Sequence, residues 1–218
     1  MKSKILQTIA AYILILVCCN SVKSQIPEDY PFKTYLDTAD NLYVTGQNGE
    51  FDIETTKFPG TSTNYEWSVG HLNPGFDRGM DLALDAEENV YVSGFLQSQN
   101  GYTDLCLLRH NKVQGTISMV KVLNFPKEDK FYGIAREGDY FYAAGFKTTR
   151  NLKDFFLVKF NLDGDTIWTR TFNNSDYNRD DVATDILVDN NFVYAIGYTY
   201  KGEGFKNVII LYTCDRHG

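Results

Sequence analysis

Short apolar runs separated by turn-forming residues follow one another from about residue 30 to the end of the chain. The clearest run, residues 155–158, is continuous and apolar, which predicts a strand buried on both faces. Residues 161–164 follow with Asn, Asp and Gly, a composition that favours a tight turn. Further strand-like runs lie at residues 165–172, 182–188 and 192–198. The pattern therefore predicts an all-β chain of short strands and tight turns.

One phrase of five residues occurs four times, each time with tyrosine second and glycine fifth. The copies are residues 42–46, 90–94, 141–145 and 193–197. Their tyrosines, Tyr43, Tyr91, Tyr142 and Tyr194, lie 48, 51 and 52 residues apart. A fixed spacing of this size is typical of a repeat architecture.

Four antiparallel runs in each repeat of about 50 residues indicate the blades of a β-propeller. Neighbouring blades would cover one another with aromatic and aliphatic side chains, because a single sheet cannot bury its own faces. We predict three complete four-stranded blades, at residues 51–95, 103–146 and 154–198, with a partial blade at 30–47 and a partial strand at 206–212. Trp67 and Trp168, at matching positions, join the four tyrosines as predicted core between blades, and an aromatic ligand platform is the alternative.

The best-preserved unit resembles a known repeat family. An apolar run ending in Lys159-Phe160, the Asn-x-Asp-Gly turn, the Trp168 strand, and an Asp/Asn turn followed by Tyr-x-x-Gly are similar to the SBBP-type (seven-bladed) β-propeller repeat. Residues 154–198 and 86–95 match best, and the resemblance covers most of residues 30–218. It implies a propeller fold and an exported or surface protein. It implies no single activity and supplies no catalytic residues.

The two ends of the repeat region do not complete one blade. Residues 208–211 match the first strand of a unit, whereas residues 32–36 and 42–46 match the third and fourth strands. A blade shared between the ends would lack its second strand, so we expect an open or incomplete ring. A small propeller with a defective closing blade and closure between subunits are the alternatives.

Residues 1–24 have the layout of a secretory signal peptide. Lys2 and Lys4 precede an apolar run at residues 9–19, and small residues lead to Gln25. The run is shorter than the roughly 20 apolar residues that a membrane anchor needs, and Cys18 and Cys19 lack the small preceding residue that lipoprotein processing requires. We therefore expect a secreted or cell-surface protein, residues 25–218, without a stable membrane span.

The net charge disfavours one class of partner, and the cysteine content disfavours a disulfide framework. Removing Lys2, Lys4 and Lys23 with the signal takes the formal charge from −7 to −10, which disfavours nucleic acid as a partner. Two cysteines would remain, Cys106 and Cys214, at different positions within their repeats. They do not form a disulfide framework, and we interpret them as core or rim residues, with a disulfide between them as the alternative.

The sequence predicts no catalytic, cofactor or metal site. The motifs HExxH and Gly-x-Ser-x-Gly and the Walker loop do not occur. Asn161, Asp163 and Asp165 suggest calcium, but an EF-hand loop starting at Asn161 would need Gly at Thr166 and Glu at Phe172. An acidic cluster is interpreted as a solvated face, with a cation or basic partner as the alternative. Its members are Asp176, Arg179, Asp180, Asp181 and Asp185.

Asn173-Asn174-Ser175 fits the acceptor motif for N-glycosylation and lies in a predicted loop.

Three functions remain open. The favoured one is a non-catalytic scaffold whose loops contact protein or glycan. The others are an exported carbohydrate-active hydrolase or lyase with an active site at the central channel, and a structural module of a larger surface protein. Accessible, unlike carboxylates with perturbed pKa values would favour the enzyme.

Overall fold

A computed structural model of the chain describes residues 30–60, 62–174, 179–200 and 207–217. Within these residues the chain forms fifteen β-strands and no helix, which confirms the all-β prediction. It follows that the described part holds no helix long and apolar enough to cross a membrane. The proposed signal peptide lies outside the described residues.

The strands form four consecutive antiparallel sheets. The first sheet contains β1 (Tyr30–Leu36), β2 (Leu42–Gln47), β3 (Ile53–Phe58) and β4 (Trp67–His71). The second contains β5 (Arg78–Leu84), β6 (Val90–Gln97), β7 (Thr103–His110) and β8 (Ile117–Leu123). The third contains β9 (Asp129–Glu137), β10 (Tyr140–Thr149), β11 (Leu152–Asn161) and β12 (Thr166–Phe172). The fourth has three described strands, β13 (Asp181–Val188), β14 (Phe192–Tyr200) and β15 (Asn207–Asp215).

The sheets stack face to face around their first strands. β5 packs on β1, β2 and β3 of the preceding sheet, and β9 and β13 pack in the same way on the second and third sheets. The first strands β1, β5, β9 and β13 are therefore the inner strands of the stack. This arrangement is consistent with an open or incomplete β-propeller, since the described residues form four successive sheets that do not close into a ring.

Hydrogen bonding groups the strands differently from the predicted units. The apolar run at residues 155–158 lies in β11, which pairs with β10 of the preceding tyrosine phrase and with β12, whereas the strands at residues 181–188 and 192–200 belong to the next sheet. The four sheets therefore occupy residues 30–71, 78–123, 129–172 and 181–215. The difference has a physical reason: β10 and β11 are joined by a tight hairpin, whereas the chain crosses to the next sheet after β12.

Aromatic side chains connect each sheet to the next. Tyr43, Tyr91 and Tyr142 are fully buried, and Trp67 and Trp168 are 6% and 9% exposed. Three of these five donate hydrogen bonds to backbone carbonyls in turns of the following sheet. The bonds are Trp67 Nε1 to Lys112 O at 3.1 Å, Tyr91 OH to Leu162 O at 2.7 Å, and Trp168 Nε1 to Arg216 O at 3.3 Å.

Tyr194, the fourth of the set, is only partly buried, and its hydroxyl bonds to Asp189 of its own turn at 3.0 Å. It lies in the fourth sheet, whose outer face is apolar and exposed, as Ile209 at 85% and Leu211 at 62% show. Their counterparts in the third sheet, Phe155 and Leu157, are buried beneath the fourth sheet. The environment of a repeated residue thus depends on whether a neighbouring sheet covers it.

The recurring glycine follows from an irregularity in the inner strand. The register of the inner strand shifts beside this glycine in every sheet. A Cβ atom on Gly145 would lie 1.8 Å from the carbonyl oxygen of Lys130, and one on Gly94 would lie 2.0 Å from that of Arg78. Only glycine fits there, because the inner-strand backbone occupies the space that any side chain would need.

Candidate functional site

Cationic and aromatic side chains lie close together at one end of the stack of sheets. At this end the second strand of each sheet ends, and the third strand of that sheet and the inner strand of the following sheet begin. Arg78 pairs here with Phe95 across the ladder of the second sheet, and Lys130 pairs with Phe146 across that of the third. We call this the aromatic end. It comprises residues 73–78, 95–103, 124–130 and 146–154, together with Phe32 of β1.

Four cationic side chains of the aromatic end lie over aromatic rings. The Arg78 guanidinium is 4.3 Å from the centre of the Phe32 ring and 4.8 Å from that of Phe76. The Lys130 ammonium is 4.5 Å from the centre of the Phe95 ring. Lys147 and Lys153 repeat the arrangement on Phe125 at 4.1 Å and on Phe146 at 4.4 Å. Such distances are within the range of favourable cation–π attraction.

Polar neighbours hold these cations in place. Gln47 Oε1 accepts hydrogen bonds from Arg78 Nε at 3.2 Å and Nη2 at 2.8 Å. Glu128 bridges Lys130 at 2.7 Å and Lys153 at 3.6 Å. Burial acts to raise the pKa of Glu128, but the two lysines outweigh it and hold that pKa below its usual value. The cations are half-buried, so their stems are packed and their positions are defined.

Chemically, this surface suits a ligand that carries both negative charge and flat apolar faces. Ordered guanidinium and ammonium groups bind carboxylates and sulfates through charge-assisted hydrogen bonds. Exposed rings beside them provide stacking area; Tyr102 is 47% exposed and Phe32 is 40% exposed.

Below the aromatic end, paired aspartates lie at each described junction between sheets. One member precedes the third strand of a sheet or lies among its first three residues, and the other starts or directly precedes the inner strand of the next sheet. The pairs are Asp52 with Asp77, Asp104 with Asp129, and Asp154 with Asp181. We call them the junction carboxylates. All six are buried, with exposures between 0% and 6%.

An asparagine accompanies each pair. At the first junction the Asn73 backbone N donates to Asp52 Oδ1 and its Nδ2 to Asp77 Oδ1, both at 3.2 Å. At the second, Asn124 Nδ2 donates to Asp104 Oδ2 at 3.1 Å. At the third, Asn173 Nδ2 donates to Asp154 Oδ1 at 2.7 Å. The same constellation is thus built three times.

Burial controls the ionisation of these groups. It raises the pKa of Asp129 to about 6, and the nearby Asp104 carboxylate adds to the increase, while the Thr148 backbone N–H and Lys147 oppose it. Burial is also the main reason that the pKa values of Asp77, Asp104 and Asp154 are raised. Because the pairs are alike and buried, they do not form the accessible, unlike acid and base that glycoside cleavage requires.

The predicted acidic cluster is divided among separate roles. Asp180 Oδ1 accepts the Lys153 backbone N–H at 2.9 Å, Asp181 is a junction carboxylate, and Asp185 Oδ1 accepts the Ile186 backbone N–H at 2.8 Å. Asp176 lies outside the described residues. No three His, Cys, Asp or Glu side chains in the described part of the chain converge as metal ligands.

Other singled-out residues have local roles. Asn161 Oδ1 accepts the backbone N–H groups of Asp163 and Asp165, as expected of a turn, and Asp165 pairs with Lys121 at 3.1 Å. Cys106 is buried, Cys214 is half-buried, and both are free thiols. Asn173 is exposed, but Ser175 lies outside the described residues, so glycosylation remains a prediction.

Sequence reasoning missed the junction carboxylates, although a signal was present. Asp52, Asp104 and Asp154 recur at intervals of 52 and 50 residues. The partners Asp77, Asp129 and Asp181 recur at intervals of 52 and 52 residues. Comparing the polar positions of the repeats would have found them. The cation–aromatic pairs left no such signal, since Arg78 and Phe32 belong to different sheets.

Comparisons with known proteins add little. No family model matches the chain, and no curated protein matches it. Among solved structures, a chain named "Glycoside hydrolase" aligns with a TM-score of 0.46 at 10% identity, covering 86% of this chain and 46% of that one. The present chain therefore spans about half the length of that structure. This likeness carries no argument about activity.

Proposed function

We propose that the protein is an exported, non-catalytic scaffold that binds an acidic glycan at the aromatic end. The observation that carries the proposal is the set of four cations held over aromatic rings at one end of a chain with net charge −7. A local cationic surface on an acidic protein attracts anionic groups selectively, and the rings favour sugar faces.

The remaining parts of the proposal rest on the sequence and on the arrangement of the sheets. The layout of residues 1–24 supports export. The repeated tyrosine and glycine phrases and the stacked antiparallel sheets support membership of the SBBP-type repeat family and a propeller that is open or incomplete. A binding scaffold also serves a larger surface protein, so the structural-module hypothesis differs only in what the scaffold is attached to.

We expect residues 25–218 to bind an immobilised acidic polysaccharide, polygalacturonate. Combining Arg78→Ala with Lys130→Ala is expected to weaken binding at least about tenfold, because each charged hydrogen-bond partner contributes roughly 1.5–3 kcal/mol. Biolayer interferometry at two salt concentrations measures the affinity, which should fall as salt rises.

Lys112→Ala combined with Arg136→Ala is the matched control, since it removes the same charge at the opposite end of the sheets, in the turn after β7 and near the end of β9. Equal loss in both double variants would show nonspecific attraction and contradict the proposal. If the protein binds an acidic peptide and not the polysaccharide, the partner is a protein and the glycan proposal is wrong. Release of oligosaccharides from the polysaccharide would establish the hydrolase or lyase alternative and overturn the non-catalytic scaffold.

A further inference from the structure

Four carboxylate oxygens of the junctions have no hydrogen-bond partner among the described residues. They are Asp77 Oδ2, Asp104 Oδ1, Asp129 Oδ2 and Asp181 Oδ1. Their residues are between 0% and 2% exposed, so bulk water does not solvate these oxygens. At the third junction, Thr199 lies directly across the ladder from Asp181, and its fully buried Oγ1 also lacks a partner in the described part of the chain.

A buried carboxylate oxygen must be balanced by a donor, a proton or a cation, because isolated buried charge is strongly unfavourable. None of the ion pairs among the described residues involves a junction carboxylate. The positive charge that lowers the pKa of Asp129 is that of Lys147, whose ammonium lies over Phe125. Two acidic groups thus share one buried junction without a protein counter-ion in contact.

We propose that each junction binds a calcium ion between its two aspartates. The second junction is the clearest case, since Asp104 Oδ1 and Asp129 Oδ2 both lack a well-aligned hydrogen-bond partner there, although the Ser98 side chain and the Phe125 backbone N–H act to lower the pKa of Asp104. Asn124 Nδ2 donates to the other Asp104 oxygen, Oδ2, at 3.1 Å. Calcium accepts six to eight oxygen ligands in flexible geometry, and water completes the shell.

The ion has a consequence for the aromatic end. Asp77 and Asp129 directly precede Arg78 and Lys130 in the sequence. A cation that fixes the two aspartates therefore also fixes the backbone from which the aromatic-end cations project. This inference does not depend on glycan binding, because the junctions contribute to stability whether or not the aromatic end has a ligand.

The test is calcium titration of residues 25–218 after treatment with a chelator. Calcium at the millimolar level typical of extracellular modules should raise Tm by several degrees, since a ligand that binds the folded state stabilises it. Isothermal titration calorimetry should show several sites per chain. Combining Asp104→Asn with Asp129→Asn should remove one of them and reduce the Tm shift. Asp77→Asn, at the first junction, serves as a second variant if that double variant does not fold.

Asp139→Asn combined with Asp163→Asn is the control, because it removes two exposed charges in turns. It should keep the full number of sites. Equal loss of calcium binding in both double variants, or equal stabilisation by magnesium at the same ionic strength, would show nonspecific screening and overturn the proposal.

A shared proton is the competing explanation for the paired aspartates. The pKa of Asp129, raised by burial from 3.8 to about 6, means that the folded state binds this proton more tightly than the unfolded state. Without calcium the contribution of Asp129 to stability should therefore increase as the pH falls from about 6 toward 3.8. If calcium does not change Tm at pH 7.5, and Tm rises as the pH falls from about 6 toward 3.8 in the parent protein but not in Asp129→Asn, the pair takes up a proton and the calcium proposal is wrong.

Discussion

Trp168→Ala is expected to lower the free energy of unfolding by about 3–5 kcal/mol, the usual cost of truncating a buried aromatic side chain. Trp168 is 9% exposed and packs with Tyr142 in the cluster between the third and fourth sheets. Its Nε1 also donates to the carbonyl oxygen of Arg216 at 3.3 Å, so truncation removes a contact between sheets as well as apolar area. Urea denaturation followed by far-ultraviolet circular dichroism measures the loss.

Ile167→Ala is the matched control for this prediction. Ile167 lies in β12 directly before Trp168 and is 50% exposed. Its truncation should therefore change the free energy of unfolding by less than about 1 kcal/mol. An unchanged urea midpoint in Trp168→Ala would mean that the third and fourth sheets do not depend on this side chain.

Gly145→Ala should destabilise the protein by about 3 kcal/mol although it adds a single methyl group. The new Cβ would lie 1.8 Å from the Lys130 carbonyl oxygen and 2.8 Å from the Phe131 Cα atom. Both are backbone atoms of β9, so a side-chain rotation cannot relieve the overlap and the inner strand must move. Differential scanning calorimetry should show a lower Tm, by roughly 2–4 °C for each kcal/mol in a chain of this size.

Gly70→Ala controls for the general effect of replacing glycine in a strand. Its Cβ would approach the Glu54 carboxylate oxygen at 3.1 Å, and a flexible side chain can move away. Stability should therefore be nearly unchanged. Similar Tm values for Gly145→Ala and Gly70→Ala would contradict the explanation of the recurring glycine by backbone contact.

The strands could be predicted from sequence because their signal is local. Alternation, Asx-Gly turns and the repeated tyrosine phrase each depend on a few neighbouring residues. The grouping into sheets could not be predicted, since hairpin and crossover links have similar lengths. The hairpin link at residues 98–102 and the crossover at residues 72–77 differ by one residue, although one stays within a sheet and the other changes sheet.

The candidate site could not be predicted from the sequence, because it depends on contacts between sheets. The Lys130 and Phe95 side chains meet only because one inner strand packs against the preceding sheet. Asp104 and Asp129 are ordinary strand-start residues until burial and missing partners distinguish them. Tyr194 illustrates the same limit, because its phrase matches that of Tyr142, yet only Tyr142 is covered by a following sheet.

Among the described residues, the aromatic hydrogen bonds between sheets run in one direction. Trp67 donates to Lys112, Tyr91 to Leu162, and Trp168 to Arg216, so every acceptor is synthesised after its donor. A nascent sheet leaving the ribosome therefore lacks its stabilising acceptor until the next sheet has emerged. Folding during synthesis should consequently lag one sheet behind elongation.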